Sequence, residues 1–388
     1  MNIPKLRFKD NNGNDYPQWE KKLIKDILKI YHGKDYKNEP NEKKLYPVLG
    51  TGGIITYIDK FLCDWECVLI GRKGTINKPQ YMKTPFWSVD TLFYSKPKLK
   101  QNPKFQYYLF QNINWKIYDE STGVPSLSAS TIEHINRFIP TYAEQEKIAS
   151  FFSTIDKKIE NLTNTITSLE NQKKGLLQQI FSQKLRFKDE NGNNYPNWEK
   201  KKLGKLLSIT SSKRVHEADW TTSGIPFYRA RDIISIFNNK PISKIYISEK
   251  LYEECSSSCG KISENDLLVT GVGTIGIPYL VKKSDKFYFK DGNIIWLKNS
   301  PAIYGKYLFY IFISSYVQKQ INMMTGKGTV GTYTIKNAKD TNILLPCLEE
   351  QTKIADFLSE FDRKLDNQKA QLEHWQQIKK GLLQQMFV

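Results

Sequence analysis

The residues of this chain best suited to metal or redox chemistry are two cysteine pairs, each with three residues between its members. The spacing of Cys63 and Cys67, like that of Cys255 and Cys259, would suit zinc, but each region lacks a second nearby pair of cysteine or histidine ligands. The histidines are too scattered to complete a metal site or form a catalytic cluster; they are His32, His134, His216 and His374. With Cys347 the cysteines number five, which fits reduced thiols better than disulfides. The sequence therefore predicts no metal site.

Motifs for nucleotide-dependent or methyl-transfer chemistry are also missing. Gly326-Lys327-Gly328 lacks both the upstream glycine and the hydroxyl residue of a phosphate-binding loop. No Asn/Asp-Pro-Pro-aromatic segment, which adenine methyltransferases use to hold a flipped base, occurs in the chain. The glycine step from Leu69 to Gly74 fits an ordinary turn as well as it fits a nucleotide fingerprint. We assign no catalytic residue and predict that the chain is not an enzyme.

Charge is the strongest binding signal in the sequence. The formal net charge is +18, yet the segments 143–182 and 349–388 carry only zero and −1. Residues 1–142 carry +8 and residues 183–348 carry +11. Two basic parts separated by neutral segments favour a polyanion partner, such as double-stranded DNA, for each basic part. A basic, solvated surface that maintains solubility is the alternative.

Basic residues beside aromatic residues and glycine turns are the candidates for contact with phosphates and base edges. They are His32, Lys34, Lys37, Arg72, Lys73 and Lys78 in the first basic part, and Lys213, Arg214, Arg229, Arg231 and Lys327 in the second. The nearest counterpart of Arg72-Lys73 is Thr270-Gly271-Val272, so this pair is either a base reader or an exposed turn. Arg229 and Arg231 alternate as on a strand, which would place both on one face. Pairing of these arginines with Asp232 or another carboxylate is the alternative.

The candidates are set in a duplicated frame. Residues 5–28 and 184–207 share the sequence Lys-Leu-Arg-Phe-Lys-Asp, an Asn-Gly turn and a Tyr-Pro-x-Trp-Glu step, at an offset of 179. Ala143–Ser182 and Glu349–Phe387 share apolar positions at steps of four and three, which predicts two coiled-coil helices of about 60 Å. The central linker follows the first helix directly, whereas the N-terminal linker follows no helix. We therefore expect the C-terminal helix to close back on the N-terminus about a pseudo-twofold axis.

The regions between linker and helix combine strand-like and helix-like runs. The strand-like runs are Cys67–Ile70, Thr91–Tyr94, Leu267–Thr270 and Ile294–Leu297, and the helix-like runs are Lys104–Asn112 and Tyr304–Asn322. We predict an α+β fold in which two α/β domains are separated by two long antiparallel coiled-coil helices. The boundaries are 1–142 for the N-terminal linker and first domain, 143–182 for the central helix, 183–348 for the second linker and domain, and 349–388 for the C-terminal helix.

Length and hydropathy indicate the number of domains and the cellular location. At 388 residues the chain exceeds the size at which a single core stops growing, so two globular domains are expected. No run of about 18 apolar residues occurs, and the N-terminal sequence lacks the apolar stretch of a signal peptide. We expect a cytoplasmic protein.

One repeated motif resembles a known family. Residues 140–152 read PTYAEQEKIASFF and residues 346–358 read PCLEEQTKIADFL. An aspartate follows each motif, at Asp156 and Asp362, and Lys-Lys-Gly-Leu-Leu-Gln-Gln recurs at 173–179 and 379–385. This pattern resembles the specificity subunits of type I restriction-modification systems over essentially the whole chain. The resemblance implies two target-recognition domains, each reading one half of an interrupted asymmetric DNA sequence, and helices that fix the distance between them.

The resemblance also implies partners. In that family the subunit is non-catalytic and binds two adenine-N6 methyltransferase subunits and a motor subunit that cleaves DNA; S-adenosylmethionine, ATP and magnesium belong to those partners, and this chain is expected to bind no cofactor. The family's docking segments for the methyltransferase match Glu144, Gln145, Lys147, Ile148, Glu350, Gln351, Lys353 and Ile354. Helix-start chemistry, with an acidic residue in the first turn, is the other explanation of this motif.

Two competing functions remain. A self-contained DNA-modifying enzyme is opposed by the missing methyltransferase and nuclease motifs and by the short length. A coiled-coil scaffold that binds no DNA is opposed by the restriction of positive charge to the globular parts.

Overall fold

The computed structural model describes residues 4–325 and 331–387. These residues form two compact units, Met1–Asn164 with Gln368–Val388, and Thr165–Asn367. The first unit therefore holds both ends of the chain. The backbone N–H of Leu6 donates to the carbonyl of Gln385 at 3.2 Å, and the rings of Trp19 and Phe387 lie 6.3 Å apart between centroids. The prediction that the last helix closes back on the N-terminal linker is confirmed.

The first unit surrounds a small antiparallel sheet. Its strands are β1 (Glu20–Leu23), β2 (Leu28–Tyr31), β3 (Tyr46–Gly50), β4 (Gly53–Ile58), β5 (Cys67–Gly71), β6 (Gln80–Met82), β7 (Trp87–Ser88), β8 (Leu92–Pro97) and β9 (Asn136–Ile139), and its helices are α1 (Ile24–Ile27), α2 (Pro103–Asn112), α3 (Ala129–Glu133) and the first part of α4 (Tyr142–Phe181). The main sheet has the order β2-β8-β5-β6, a second sheet has the order β4-β3-β7, and β1 pairs with β9.

The second unit repeats this frame. Its strands are β10 (Glu199–Lys202), β11 (Ser208–Thr210), β12 (Trp220–Thr221), β13 (Ile225–Tyr228), β14 (Tyr246–Ile247), β15 (Leu267–Thr270), β16 (Pro278–Leu280), β17 (Tyr288–Phe289), β18 (Ile294–Lys298) and β19 (Asn342–Leu345), and its helices are α5 (Ala230–Phe237), α6 (Glu249–Cys259), α7 (Gly305–Ile313), α8 (Ser315–Met324), α9 (Ile335–Asp340) and part of α10 (Leu348–Met386). The main sheet has the order β11-β18-β15-β16, and β10 pairs with β19.

The main sheets of the two units are equivalent, whereas the structures added to them differ. The first unit adds the β3-β4 hairpin, and the second adds a sheet of order β12-β14-β13-β17 together with α5 and α6. The predicted α+β class and internal duplication are confirmed. The predicted helix at 304–322 is wrong in one respect, because α7 and α8 are separated at Ser314, whose backbone is extended (φ −70°, ψ 154°). The Ser314 hydroxyl bonds the carbonyl of Ile311, a local bond that competes with helix continuation.

The long helices α4 and α10 each belong partly to one unit and partly to the other. In the first unit Ile148, Phe152 and Ile155 of α4 are buried in one cluster with Leu383 and Met386 of α10. The early residues of one helix thus pack against the late residues of the other, so the two helices run antiparallel there. The predicted steps of four and three include Ile148, Phe152, Ile155 and Met386, whereas at the remaining position the seam predicted Leu382 and the structure buries Leu383.

A lysine that interrupts each apolar seam has a carboxylate partner. Lys379 on α10 lies 2.7 Å from Asp156 on α4, and the hydroxyl of Tyr108 on α2 donates to the other oxygen of Asp156 at 2.7 Å. The triad therefore joins the globular part to both helices. The second unit repeats the triad with Lys173, Asp362 and Tyr310.

Candidate nucleic-acid interface

One end of the main sheet collects basic loops in the first unit. Because β2 and β5 both run antiparallel to β8, their last residues lie beside the start of β8, with Tyr31 opposite Tyr94 and Gly71 opposite Leu92. The loops that leave β2 and β5 therefore meet the loop that enters β8. The backbone N–H of Lys34 donates to Ser88 at 2.8 Å.

The structure places four of the six candidates of the first unit on these loops. Arg72 is half-buried and donates from Nη1 to the carbonyl of Asp90 at 3.3 Å, and the exposed Lys73 follows it. His32 packs edge-on against Phe93, with ring centroids 4.9 Å apart, and Lys34 is exposed. These side chains share one edge of the sheet, and their contact with DNA stays a prediction.

The other two candidates lie differently. Lys37 is exposed and lies farther along the loop from β2 to β3, six residues after Tyr31. Lys78 lines a cavity of about 350 Å³ together with Gln111 of α2 and Lys379 and Lys380 of α10. Lys78 thus faces the end of a long helix.

A hairpin that the sequence analysis missed adds to this edge. The turn between β3 and β4 lies beside Gly74, because a Cβ on Gly74 would be 4.0 Å from the hydroxyl oxygen of Thr51. On β4 the side chains of Ile54, Ile55 and Tyr57 are exposed. The signal was the Gly-Thr-Gly-Gly run at 50–53 between apolar segments, which is typical of a hairpin turn.

The second unit gathers cations at the equivalent edge. Thr210 of β11 lies opposite Trp296, and Thr270 of β15 lies opposite Ile294, so the loops after β11 and β15 again meet the loop before β18. A cavity of about 390 Å³ opens there, lined by Glu217, Trp220, Arg229, Ala230, Arg231, Ile234, Val272, Gly273, Lys290 and Asn293. Arg214 lies at this edge as well, with Nε 3.0 Å from Asp291, and Lys213 beside it is exposed.

The strand prediction for Arg229 and Arg231 is wrong. Strand β13 ends at Tyr228, and helix α5 begins at Ala230. Asp232 accepts the backbone N–H of Arg229 at 2.9 Å, which stabilises the first turn of a helix rather than a continued strand. The guanidinium of Arg229 also pairs with Asp232 through Nε at 2.7 Å and Nη2 at 2.9 Å, so the alternative reading holds for Arg229. Arg231 is exposed, and Lys327 lies outside the described residues.

The counterpart of Arg72 in the second unit is Gly271. The N–H of Arg72 donates to Thr91 and the N–H of Gly271 donates to Asn293, both at 2.8 Å. A Cβ on Gly271 would lie 2.7 Å from the carbonyl oxygen of Tyr333, so a side chain does not fit there without a backbone shift. An arginine at this position is therefore specific to the first unit, as the sequence comparison predicted.

Most of the candidates for methyltransferase docking are buried within this chain. Glu144 is fully buried, and its carboxylate accepts Nε of Arg7 at 3.0 Å, Nη2 of Arg7 at 2.7 Å and Nε1 of Trp19 at 3.0 Å. The carboxylate raises the pKa of Arg7 through that hydrogen bond. The same contacts recur in the second unit among Glu350, Arg186 and Trp198. The acidic residue of the motif therefore fastens the linker to the long helix.

The glutamine of the motif is also held by hydrogen bonds within the chain. Gln145 accepts the N–H of Asn102, which caps α2, at 2.9 Å and donates to Pro140 at 3.0 Å. Ile148 is buried in the core. The equivalent second set, Gln351, Ile354 and the fully buried Glu350, behaves alike. These six side chains offer no surface for direct contact with a partner, which corrects that part of the docking prediction.

The lysines of the motif are the exception. Lys147 donates from Nζ to the carbonyl of Lys9 at 2.7 Å, and Lys353 donates to the carbonyl of Lys188 at 2.9 Å, and these contacts are exposed. Docking through these two residues stays a prediction.

The cysteines show pairing of thiols but no ligand cluster. Cys63 and Cys67 are buried with their sulfurs 3.8 Å apart. Their hydrogen bond lowers the pKa of Cys63 and, with burial, raises that of Cys67. Among residues 4–325 and 331–387, no group of three or more His, Cys, Asp or Glu side chains could hold a metal ion. No helix in that part of the chain has the length and apolar character needed to cross a membrane.

The protein is duplicated, has a basic sheet edge in each half, and contains long helices of nearly neutral charge. This architecture is typical of proteins with two paired recognition domains. The sequence matches the family model for the type I restriction modification DNA specificity domain twice, at residues 16–171 and 195–374. The chain belongs to this family.

Two named relatives agree with that assignment. The putative type I restriction enzyme specificity subunit S.HindORF215P of Haemophilus influenzae is 26% identical over 81% of this chain and 80% of its own length. The MjaVIII specificity subunit of Methanocaldococcus jannaschii is 24% identical over 97% of this chain and 94% of its own length. The solved S subunit of a type I system from M. genitalium covers 100% of this chain and 99% of its own, with a TM-score of 0.65 and 18% identity, so it shares the fold.

Proposed function

We propose that this specificity subunit recognises a bipartite asymmetric sequence in double-stranded DNA, with each unit reading one half and α4 and α10 setting the gap between the halves. One observation carries the proposal. Both units present cations at the same end of equivalent sheets, but the sets differ: Arg72 lies on the loop after β5 in the first unit, whereas Arg231 lies in the first turn of α5 in the second. A shared frame with different contact residues is what the reading of two different half-sites requires.

The charge distribution supports DNA as the polyanion. Lysine and arginine neutralise phosphates and so position a protein on the duplex, while side chains at base edges supply specificity. The hairpin of β3 and β4 adds exposed Ile54, Ile55 and Tyr57 to the edge of the first unit. Apolar groups of this kind contact thymine methyl groups in the major groove. Cations and exposed apolar groups together therefore suit a base-reading surface.

Catalysis belongs to partner subunits in this proposal. The chain acts without a cofactor of its own, and two methyltransferase subunits use S-adenosylmethionine to methylate adenine at N6, while a motor subunit uses ATP and magnesium to translocate and cleave DNA. A solved chain from a structural study of complex assembly of the type I system is similar over 96% of this chain, with a TM-score of 0.56. The purified chain should transfer no methyl group to DNA without a partner.

Exchanging the globular region of one unit should change one half of the methylated sequence. The exchange is best made at residues 24–135, because these boundaries leave the paired strands β1 (Glu20–Leu23) and β9 (Asn136–Ile139) intact. With that region taken from a relative, the methylated adenines of a host expressing the complex should lie in sites with one new half and one original half. Sequencing of methylated DNA measures both halves.

The reciprocal exchange is the matched control. Residues 203–341 of the second unit lie inside the β10-β19 pair in the same way, and their replacement should change the other half only. A change in both halves after either exchange would contradict independent reading by the two units.

Docking through these two lysines is tested by Lys147→Ala with Lys353→Ala. Both side chains are half-buried, and each bonds one carbonyl of the linker. The double variant should therefore bind the methyltransferase subunit roughly fivefold more weakly and lose no more than about 1 kcal/mol of stability at each site. Calorimetric titration of the two purified subunits measures the dissociation constant. An unchanged constant would show that docking uses another surface.

A further inference from the structure

We propose that the 390 Å³ cavity of the second unit reads a G·C base pair from the major groove, with Arg231 as the guanine reader and Glu217 as the cytosine reader. Both residues line the cavity, as does Asn293. The inference rests on the proposed DNA-binding function and goes further, because it names the contact residues and the base pair.

Most cations near the cavity are already engaged within the chain. Arg229 is only 8% exposed and is held by both oxygens of Asp232. Lys290 donates to the carbonyl of Val215 at 3.2 Å and lies 3.8 Å from Asp291. A guanidinium or ammonium that is bound in this way has few donors left for a base. These groups supply positive potential and rigidity.

Three charged or amide side chains of the cavity lining remain free within the described part of the chain, in addition to the unpartnered indole N–H of Trp220. Arg231 is exposed, Glu217 is exposed and Asn293 is half-buried. Among the contacts of residues 4–325 and 331–387, the side chain of none of them has a hydrogen-bond or ion-pair partner. They offer a guanidinium, a carboxylate and an amide to whatever enters.

The carboxylate of Glu217 indicates that the cavity binds the edge of a base and not a phosphate. A free glutamate would repel a phosphate, whereas it accepts a hydrogen bond from the N4 amine of cytosine. Arginine binds O6 and N7 of guanine with two parallel hydrogen bonds, the commonest base-specific contact in DNA complexes. Arg231 and Glu217 therefore complement the two bases of one pair.

Arg229 is the positioning residue for this reader. It precedes the first residue of α5, and its pairing with Asp232 fastens the turn on which Arg231 stands. Its guanidinium carbon lies 5.7 Å from the centroid of the Trp220 ring, which forms another part of the cavity lining. Arg229 thus connects the start of α5 to Trp220 and holds the backbone of Arg231 in place.

The test is the sequence methylated by the full complex. Arg231→Ala, expressed with the methyltransferase subunits in a host without other adenine methylation, should relax one G·C pair in one half-site. We expect discrimination at that pair to fall roughly 10- to 100-fold, with the other half and the gap unchanged. Glu217→Gln should relax the same pair, and so should Arg229→Ala. A purely structural loss in Arg229→Ala would instead lower methylation at all sites without changing their sequence.

The matched control is Arg214→Ala. Arg214 is ion-paired with Asp291 at the same edge and does not line the cavity, so its loss should weaken methylation evenly and leave the recognised sequence intact. An unchanged sequence in Arg231→Ala, or relaxation in the other half-site, would overturn the assignment while bipartite recognition stood. Absence of any bipartite methylated sequence for the unaltered chain would count against the proposed function itself.

Discussion

Glu144→Ala should lower the free energy of unfolding of the first unit by about 3 kcal/mol, because removal of one partner of a buried ion pair leaves the other uncompensated. The carboxylate is fully buried and accepts three hydrogen bonds, two from Arg7 and one from Trp19. Alanine would leave the guanidinium with only the carbonyls of Tyr16 and Pro17, at 3.3 and 2.7 Å. The indole N–H would have no acceptor.

The duplication supplies an internal replicate. Glu350→Ala removes the same three hydrogen bonds in the second unit, at 3.1, 2.7 and 2.8 Å, and should destabilise that unit to a similar extent. Urea unfolding of the full chain gives the free energies, and hydrogen exchange of backbone amides shows which unit opens. The control is Lys147→Ala on the same helix turn, which removes one hydrogen bond to the carbonyl of Lys9 and should cost no more than about 1 kcal/mol. Equal effects of Glu144→Ala and Lys147→Ala would contradict the fastening role.

The repeated Glu-Gln-x-Lys-Ile-Ala motif shows what a single sequence can predict and what it cannot. Its repetition correctly located the start of both long helices within one residue. The partner of its glutamate is Arg7, 137 positions away, and a single sequence contains no signal that joins these two residues. Docking and helix-start chemistry were the explanations available from the motif alone, and neither includes that contact.

Arg229 and Arg231 show the same limit at the level of local structure. Alternation predicts a strand, but Asp232 at the third position of the new helix binds the backbone of Arg229 and ends the extended segment. The pattern that would have revealed the helix was the spacing of three between Arg229 and Asp232. The duplicated linkers and long helices could be predicted because both copies preserve their sequence. Elements that occur in one unit only, such as the β3-β4 hairpin, have no second copy for comparison.

Lengthening both long helices by whole heptads should lengthen the gap between the methylated half-sites. The insertions are best placed after Asn164 and after Asn367, because these points lie between Asp156 and Lys173 on α4 and between the equivalent triad residues on α10. Asp and Lys are 17 residues apart on each helix, so equal insertions keep the two spacings equal and preserve both triads. An insertion of seven residues adds almost two full helical turns, falling short by about 20°. The apolar positions on either side of the insertion therefore stay on the same face of the helix.

The expected result depends on the DNA helix as well as on the protein. Seven residues add about 10 Å, or about three base pairs, and three base pairs rotate the second half-site by about 100° around the duplex. Methylation at the longer gap should therefore be weak. Twenty-one residues add about 31 Å, close to one DNA turn, and should restore methylation at a gap about nine base pairs longer. Seven residues placed in the exposed loop at Gly123 should leave the gap unaltered. An unaltered gap after the paired helix insertions would mean that the helices do not measure the DNA, and the charge-neutral segments would then need another explanation.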